Sequence, residues 1–125
     1  MSGRVMALSS VGSAEDAERL ARALVERRLA ACVNVVPGVV SHYRYQGELH
    51  RDAEWLLVVK TRVERLAALR TALAELHPYE LPELVALEIT DGNQAYLEWL
   101  DDSVLEGAAP HPPDPPSGHR KRARR

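Results

Sequence analysis

The stretch EWLLVVKT, residues 54–61, contains the uninterrupted apolar run LLVV. Successive side chains of a strand point to opposite faces, so this run places apolar groups on both faces. A strand that is apolar on both sides is normally covered on both sides. We therefore predict a strand from Glu54 to Thr61 that lies inside a sheet rather than at its edge.

The segment before this strand is predicted to be an irregular partner strand. Residues 31–40 are mostly apolar or β-branched, but a Pro-Gly pair at 37–38 interrupts them. Such an interruption favours a bulge or a bend. The strand resumes over residues 41–45 with both tyrosines on one face, and the Gln-Gly pair at 46–47 predicts the turn into the next strand.

The remaining elements complete an α+β domain. Apolar residues at helical spacing predict two long helices, one introduced by the cap Ser13 and one ending before Pro78. Outside the hairpin we predict a strand at 4–9, a helix after Ser13, a helix at 63–76, a strand at 84–90 and a last helix at 93–102. This order is the ferredoxin-like split βαβ arrangement, a two-layer sandwich, with an extra C-terminal helix.

One face of the predicted sheet has no cover within the chain. Right-handed crossovers put both long helices on the same side of a four-stranded antiparallel sheet. The other side keeps apolar residues that are normally hidden by a partner. The pattern therefore predicts an oligomer.

Composition limits the remaining possibilities. The chain has 125 residues, 46% of them hydrophobic, and 16 Lys and Arg against 18 Asp and Glu give a net charge of -2. We therefore expect a single core and no global attraction to nucleic acid or to a membrane. Cys32 is the single cysteine, which excludes an intrachain disulfide, and no long apolar stretch predicts export or insertion. Cytoplasmic location is the expectation.

The chain is predicted to divide at its C-terminal end. Residues 1–105 form the folded domain, whereas residues 106–125, EGAAPHPPDPPSGHRKRARR, combine clustered prolines with a basic end. Such a composition cannot bury a core, so we predict a disordered, solvated extension. A weak contact with a polyanion is the alternative for this tail.

Several spaced motifs resemble the CutA divalent-cation tolerance family. They are ERRLAACVNVVPG, SHYRYQG, the strand at 54–61, HPYELPE and the YLEWL helix, in that order and within residues 4–102. The resemblance implies a ferredoxin-like homotrimer with strands paired between subunits, in the cytoplasm, connected with divalent metals. Tyr45 stands where the family commonly has tryptophan, which keeps an aromatic side chain.

The resemblance also implies a reduced metal site. Some bacterial members are described with copper held by a first-strand cysteine and two adjacent histidines, and the corresponding residues here are Ser9, Leu76 and His77. One ligand of three is kept, so we expect weak binding of copper or another divalent metal centred on His77, and no obligatory cofactor. A histidine that caps the second helix is the structural alternative.

Five further residues are candidates for a ligand cleft between subunits: Cys32, Tyr43, Lys60, Tyr79 and Glu83. Three of them also have a structural interpretation. Cys32 in an apolar strand behaves as a small hydrophobic residue, and Lys60 extends its charge past apolar neighbours. Tyr79 shapes the loop after the second helix.

The leading functional hypothesis is a trimeric metal-responsive or copper-binding module. The alternative is a trimeric protein that binds a small ligand or signal and has no metal role. The sequence contains no Gly-rich phosphate loop, no recognisable Ser-His-Asp context and no HExxH, so no enzyme activity is predicted. Specific nucleic-acid binding is not expected either, because the chain has no phenylalanine and its few tyrosines are placed unlike a base-stacking platform.

Overall fold

The computed structural model describes residues 2–105, which form four strands and three α-helices. The strands are β1 (Arg4–Val11), β2 (Cys32–Tyr45), β3 (Glu48–Arg62) and β4 (Val85–Glu88). The helices are α1 (Ala14–Glu26), α2 (Leu66–Leu76, preceded by a 3-10 turn at Val63–Arg65) and α3 (Gln94–Val104). The predicted order of elements is confirmed. The predicted tail at 106–125 lies outside the described residues.

The sheet is antiparallel throughout, with strand order β2-β3-β1-β4. β3 lies between β1 and β2, as the LLVV run predicts, with Val59 opposite Ala7 of β1 and Val33 of β2. The α+β class is confirmed.

The main core lies between one face of the sheet and the two long helices. Ala7, Leu57 and Val59 supply sheet residues that pack against Leu20 of α1 and Leu69 of α2. All five are at most 2% exposed. Both long helices, α1 and α2, therefore cover the same face of the sheet, as expected from the crossovers.

The β2–β3 hairpin is longer than predicted. β3 begins at Glu48, six residues before the expected start, and pairs with β2 as far as Tyr45. Sequence periodicity misses this extension because residues 48–53, ELHRDA, mix polar and apolar side chains without a continuous apolar run, whereas backbone hydrogen bonding to β2 holds the strand. The predicted irregularity is confirmed as a bulge between Val36 and Val39, where Gly38 adopts φ +80°.

The predicted start of α1 agrees with the structure, whereas the predicted start of α2 does not. Ser13 caps α1, because its hydroxyl accepts a hydrogen bond of 3.1 Å from the backbone N–H of Asp16. The second helix was predicted to begin at Val63, but Val63–Arg65 form a 3-10 turn and α2 begins at Leu66. Tight 3-10 turns are common at helix ends, and the apolar spacing does not distinguish them.

An ion-pair network fixes α3 to the end of the sheet. Asp101 accepts hydrogen bonds of 2.7 Å and 2.9 Å from Arg4 and of 2.9 Å from Arg62. Burial opposes the Asp101 charge, but these two guanidinium groups lower the pKa of its carboxyl below the ordinary value. Leu100 and Val104 of the same helix pack on Ala31, which precedes β2.

The opposite face of the sheet is open along most of its length. Register places Leu8 of β1 beside Val58 of β3 and Val85 of β4, and Met6 beside Leu87 of β4. Val85 and Leu87 are 49% and 48% exposed. We call this surface the open face, and its apolar members on four strands are Met6, Leu8, Val36, Val39, Leu56, Val58, Val85 and Leu87.

Over residues 2–105, none of the helices has the length and apolarity that crossing a bilayer would require.

Candidate functional site

A pocket of about 660 Å³ lies where the β2–β3 hairpin meets the segment after α2. We call it the tyrosine pocket. It continues the open face, because Ser41 and Tyr43 of β2 pair with Asp52 and His50 of β3 on the same side as Glu54. Its lining residues are Ser10, Ser41, Tyr43, Arg44, Tyr45, Asp52, Glu54, Pro78, Tyr79, Glu80, Leu81 and Glu83.

Hydroxyl groups donate to carboxylates around this pocket. The Tyr79 hydroxyl donates to Glu54 at 2.6 Å, and the Tyr45 hydroxyl donates to Glu80 at 3.0 Å. Two further pairs complete the set, Tyr43 with Asp52 and Ser10 with Glu83. Each pair holds one carboxylate oxygen in place, so the second oxygen of each group remains available to a ligand.

The Tyr79–Glu54 pair is the most enclosed of the four. Glu54 is only 7% exposed although it carries a carboxyl group. Burial, together with the hydrogen bond to Glu54, raises the pKa of Tyr79 above its ordinary value. Tyr79 therefore keeps its proton and remains a donor to Glu54.

The tyrosine pocket carries an excess of negative charge. Six ion pairs form elsewhere among residues 2–105, and none of them includes Asp52, Glu54, Glu80 or Glu83. Arg44 is the one Lys or Arg among the lining residues. A buried carboxylate without a cation is costly, so the arrangement is suited to a positively charged ligand.

His77 has a structural role beside the pocket. Its Nδ1 accepts the backbone N–H of Tyr79 at 3.1 Å, and its Nε2 lies 2.8 Å from the carbonyl oxygen of Ser10. A backbone N–H only donates and a carbonyl only accepts, so Nδ1 carries no proton and Nε2 donates. Both ring nitrogens are thus engaged, and a metal would have to displace one of these bonds. The predicted metal role of His77 stays a prediction.

Replacing His77 by alanine is expected to lower the free energy of unfolding by about 2 kcal/mol, because the buried Ser10 carbonyl and the Tyr79 amide lose their partners. Urea denaturation followed by circular dichroism measures this change. His42, which is exposed on β2, is the matched control, and His42→Ala is expected to have no comparable effect. Equal stability of the two variants would contradict the structural role.

The predicted cleft residues occupy two places in the chain. Tyr43, Tyr79 and Glu83 line the tyrosine pocket together. Cys32 and Lys60 are paired across β2 and β3 at the other end of the sheet. Lys60 and Asp52 are eight residues apart on β3, or about 26 Å. Within one chain the five residues therefore do not form a single cleft.

Cys32 and Lys60 instead share a site with α3. The Lys60 ammonium lies 5.9 Å from the centre of the Tyr96 ring. Burial raises the pKa of the Tyr96 hydroxyl, and the neighbouring Cys32 adds to this effect. These contacts fit the structural interpretations of both residues, a lysine stem over a ring and a thiol among packed groups.

Glu83 was predicted as a cleft residue, but the sequence did not single out Asp52 or Glu54. Asp52 and Glu54 lie on β3 and Glu80 lies in the segment after α2, and the three have no motif spacing. One signal was present, because Glu54 directly precedes the apolar run of a central strand, where a carboxylate needs a specific partner.

No group of three His, Cys, Asp or Glu side chains close enough to hold a metal ion occurs within the described part of the chain. The four carboxylates of the tyrosine pocket surround it without converging on one point. A metal bound there would need water or donors from another subunit to complete its coordination.

These features define a small ferredoxin-like α+β protein with an open apolar sheet face and an acidic, tyrosine-lined pocket at one end of that face. The family profile of the CutA1 divalent ion tolerance protein matches residues 5–103. The chain belongs to this family.

Relatives and solved structures agree with this assignment. The divalent-cation tolerance protein CutA of Thermus thermophilus is 52% identical over 97 residues, covering 78% of this chain and 94% of that protein. The rice protein CutA 1, named as chloroplastic, is 45% identical over 78% of this chain and 55% of its own length. A crystal structure of the Thermus thermophilus protein superposes with a TM-score of 0.79 at 50% identity, covering 81% of this chain and 98% of that one.

Proposed function

We propose that the chain assembles into a homotrimer through its open face. The support is physical, because side chains such as Val85 and Leu87 are half exposed on a face that the described elements leave open along most of its length. Burying apolar area of this kind is the main driving force for association. Assembly would also place a neighbouring subunit beside the tyrosine pocket, which continues the same face.

The role proposed for this trimer is divalent-cation tolerance through weak cation binding at the tyrosine pocket. The observation that carries the proposal is Glu54, a buried carboxylate with no cationic partner, beside three more carboxylates that form no ion pair. Their oxygens are donors for divalent ions, and donors from the adjacent subunit would complete the coordination. Copper is one candidate metal, and none is obligatory for folding.

Calorimetric titration with copper, zinc and manganese tests this role. Glu83→Gln removes one carboxylate of the pocket and is expected to weaken cation binding at least several-fold. Glu98→Gln, an exposed change on α3, is the control and should leave binding unchanged. His77→Gln distinguishes a metal site at His77, which the sequence predicts, from a site at the pocket carboxylates. If His77→Gln abolishes metal binding and Glu83→Gln does not, the metal binds at His77 instead.

A small organic ligand is the second candidate. The tyrosine pocket has a volume typical of small-molecule sites, and tyrosine, proline and leucine form much of its lining. An organic cation such as an amine would satisfy both the carboxylates and the rings. Native mass spectrometry of the purified protein distinguishes the candidates, because a retained organic mass favours this one.

The proposed function includes no catalytic step. Its partners are other copies of the chain and divalent cations, without a membrane or specific nucleic acid. We place it in the cytoplasm, as the sequence predicts, although a rice relative is named as chloroplastic.

A further inference from the structure

The C-terminal segment of the chain has a composition that complements the tyrosine pocket. Five prolines lie between positions 110 and 116, and residues 120–125, RKRARR, carry five positive charges. The first 105 residues carry 11 Lys and Arg against 16 Asp and Glu. Basic charge is thus concentrated outside the acidic body of the protein.

The pocket has the two features by which proteins recognise such segments. Grooves lined by aromatic rings bind proline-rich chains in the extended polyproline II form, which carries a low entropic cost. Tyr43, Tyr45 and Tyr79 supply the rings, and Leu81 adds an apolar side chain that is 74% exposed. The four carboxylates without ion pairs supply the charge that basic residues next to the prolines require.

The segment is long enough to reach the pocket. Val104, near the end of α3, packs on Ala31, and the backbone N–H of Ala31 bonds to the carbonyl oxygen of Lys60. Lys60 lies about 26 Å along β3 from Asp52 in the pocket, so this is the distance that the segment has to cover. The fifteen residues 106–120 follow Leu105 and end at Arg120. In the polyproline II form they span about 46 Å.

We propose that residues 110–125 dock into the tyrosine pocket of their own or a neighbouring subunit. The prolines lie against the tyrosine rings, and the basic residues pair with Asp52, Glu54, Glu80 or Glu83. The proposal deepens the proposed function, since the tail then occupies the cation site until a metal or another cation displaces it. The acidic net charge of the body disfavours the alternative of a nucleic acid brought to this surface.

Zero-length cross-linking with a carbodiimide tests the contact in the full-length protein. The chain has only two lysines, Lys60 and Lys121, so cross-links from the tail have a single amine origin. We expect peptide mass spectrometry to find Lys121 joined to Glu80 or Glu83, with a yield that falls at high salt. Gel mobility shows whether the bond joins one chain or two.

Two tail variants provide the controls. Lys121→Arg keeps the charge and should abolish these cross-links. Replacing all five tail prolines by alanine keeps the amine and should lower the yield several-fold, because the rings then lose their partners. Glu18 and Glu75 are exposed on α1 and α2, and the yield of cross-links from Lys121 to them gives the background from random encounters.

Equal yields at Glu18, Glu75 and the pocket would overturn the proposal. So would the absence of pocket cross-links together with tight binding of a labelled DNA duplex that requires residues 120–125. The two proposals can fail independently. If calorimetric titration detects no cation binding, the proposed function fails, but cross-links from Lys121 to the pocket would still support docking of the tail. Added copper or zinc that lowers their yield supports both.

Discussion

Replacing Leu87 by glutamate is expected to convert the proposed trimer into monomers. Leu87 lies on β4 in the open face, where it is 48% exposed in a single chain and would be buried on assembly. A carboxylate has little effect there in the monomer but would lose its hydration at the interface, which is strongly unfavourable. Gel filtration coupled to light scattering measures the mass directly.

The control for this change is Val25→Glu on α1. Val25 is 43% exposed, close to the value for Leu87, but lies on an element that packs against the other face of the sheet. This variant should keep the mass of the unaltered protein. A trimer that survives Leu87→Glu, or an unaltered protein that is monomeric at micromolar concentration, would contradict assembly through the open face.

Replacing Asp101 by alanine is expected to lower the free energy of unfolding by about 3 kcal/mol, because two largely buried guanidinium groups then lose their common partner. Arg4 and Arg62 both bond to this carboxylate, and all three side chains are less than a fifth exposed. Urea denaturation at a fixed protein concentration measures the loss. Asp102→Ala is the matched control, since Asp102 is the exposed neighbour in the same helix.

The same carboxylate predicts a pH dependence of stability. The pKa of Asp101 is lowered in the folded protein from an ordinary value of 3.8, so the unfolded chain takes up the proton first as pH falls. The contribution of the Asp101 carboxylate to the free energy of unfolding is therefore complete above about pH 5. It is lost as the pH falls through the pKa of Asp101 in the folded protein, which is lower than in the unfolded chain. Asp101→Asn should remove part of the acid-induced loss of stability, whereas Asp102→Asn should retain it.

Much of the fold could be predicted because its strongest signals are local. The LLVV run placed β3 inside the sheet, and the Pro-Gly pair marked the bulge in β2. The first part of β3 was missed because residues 48–53 form a strand through backbone pairing with β2, which their mixture of polar and apolar side chains does not reveal. The start of α2 was misplaced because a 3-10 turn and an α-helix share similar apolar spacing.

The candidate site was predicted only in part, since it depends on contacts between distant segments. Tyr79 was expected to shape its loop, and it does so through a bond to Glu54, which lies 25 residues earlier. Cys32 and Lys60 were grouped with the pocket residues because sequence does not measure distance along a sheet. They lie instead beside Tyr96 of α3.

The bulge in β2 has a consequence for which side of the sheet carries chemistry. Before it, even-numbered residues such as Cys32 share a face with Lys60, and after it odd-numbered residues such as Tyr43 share that face with His50. The extra residue therefore reverses the alternation of side chains along β2, so that residues after the bulge point to the face opposite to the one they would otherwise occupy. In a strand without the bulge, Ser41, Tyr43 and Tyr45 would lie on the opposite face of the sheet from Glu54. The tyrosine pocket would then lack the side of its lining that β2 supplies.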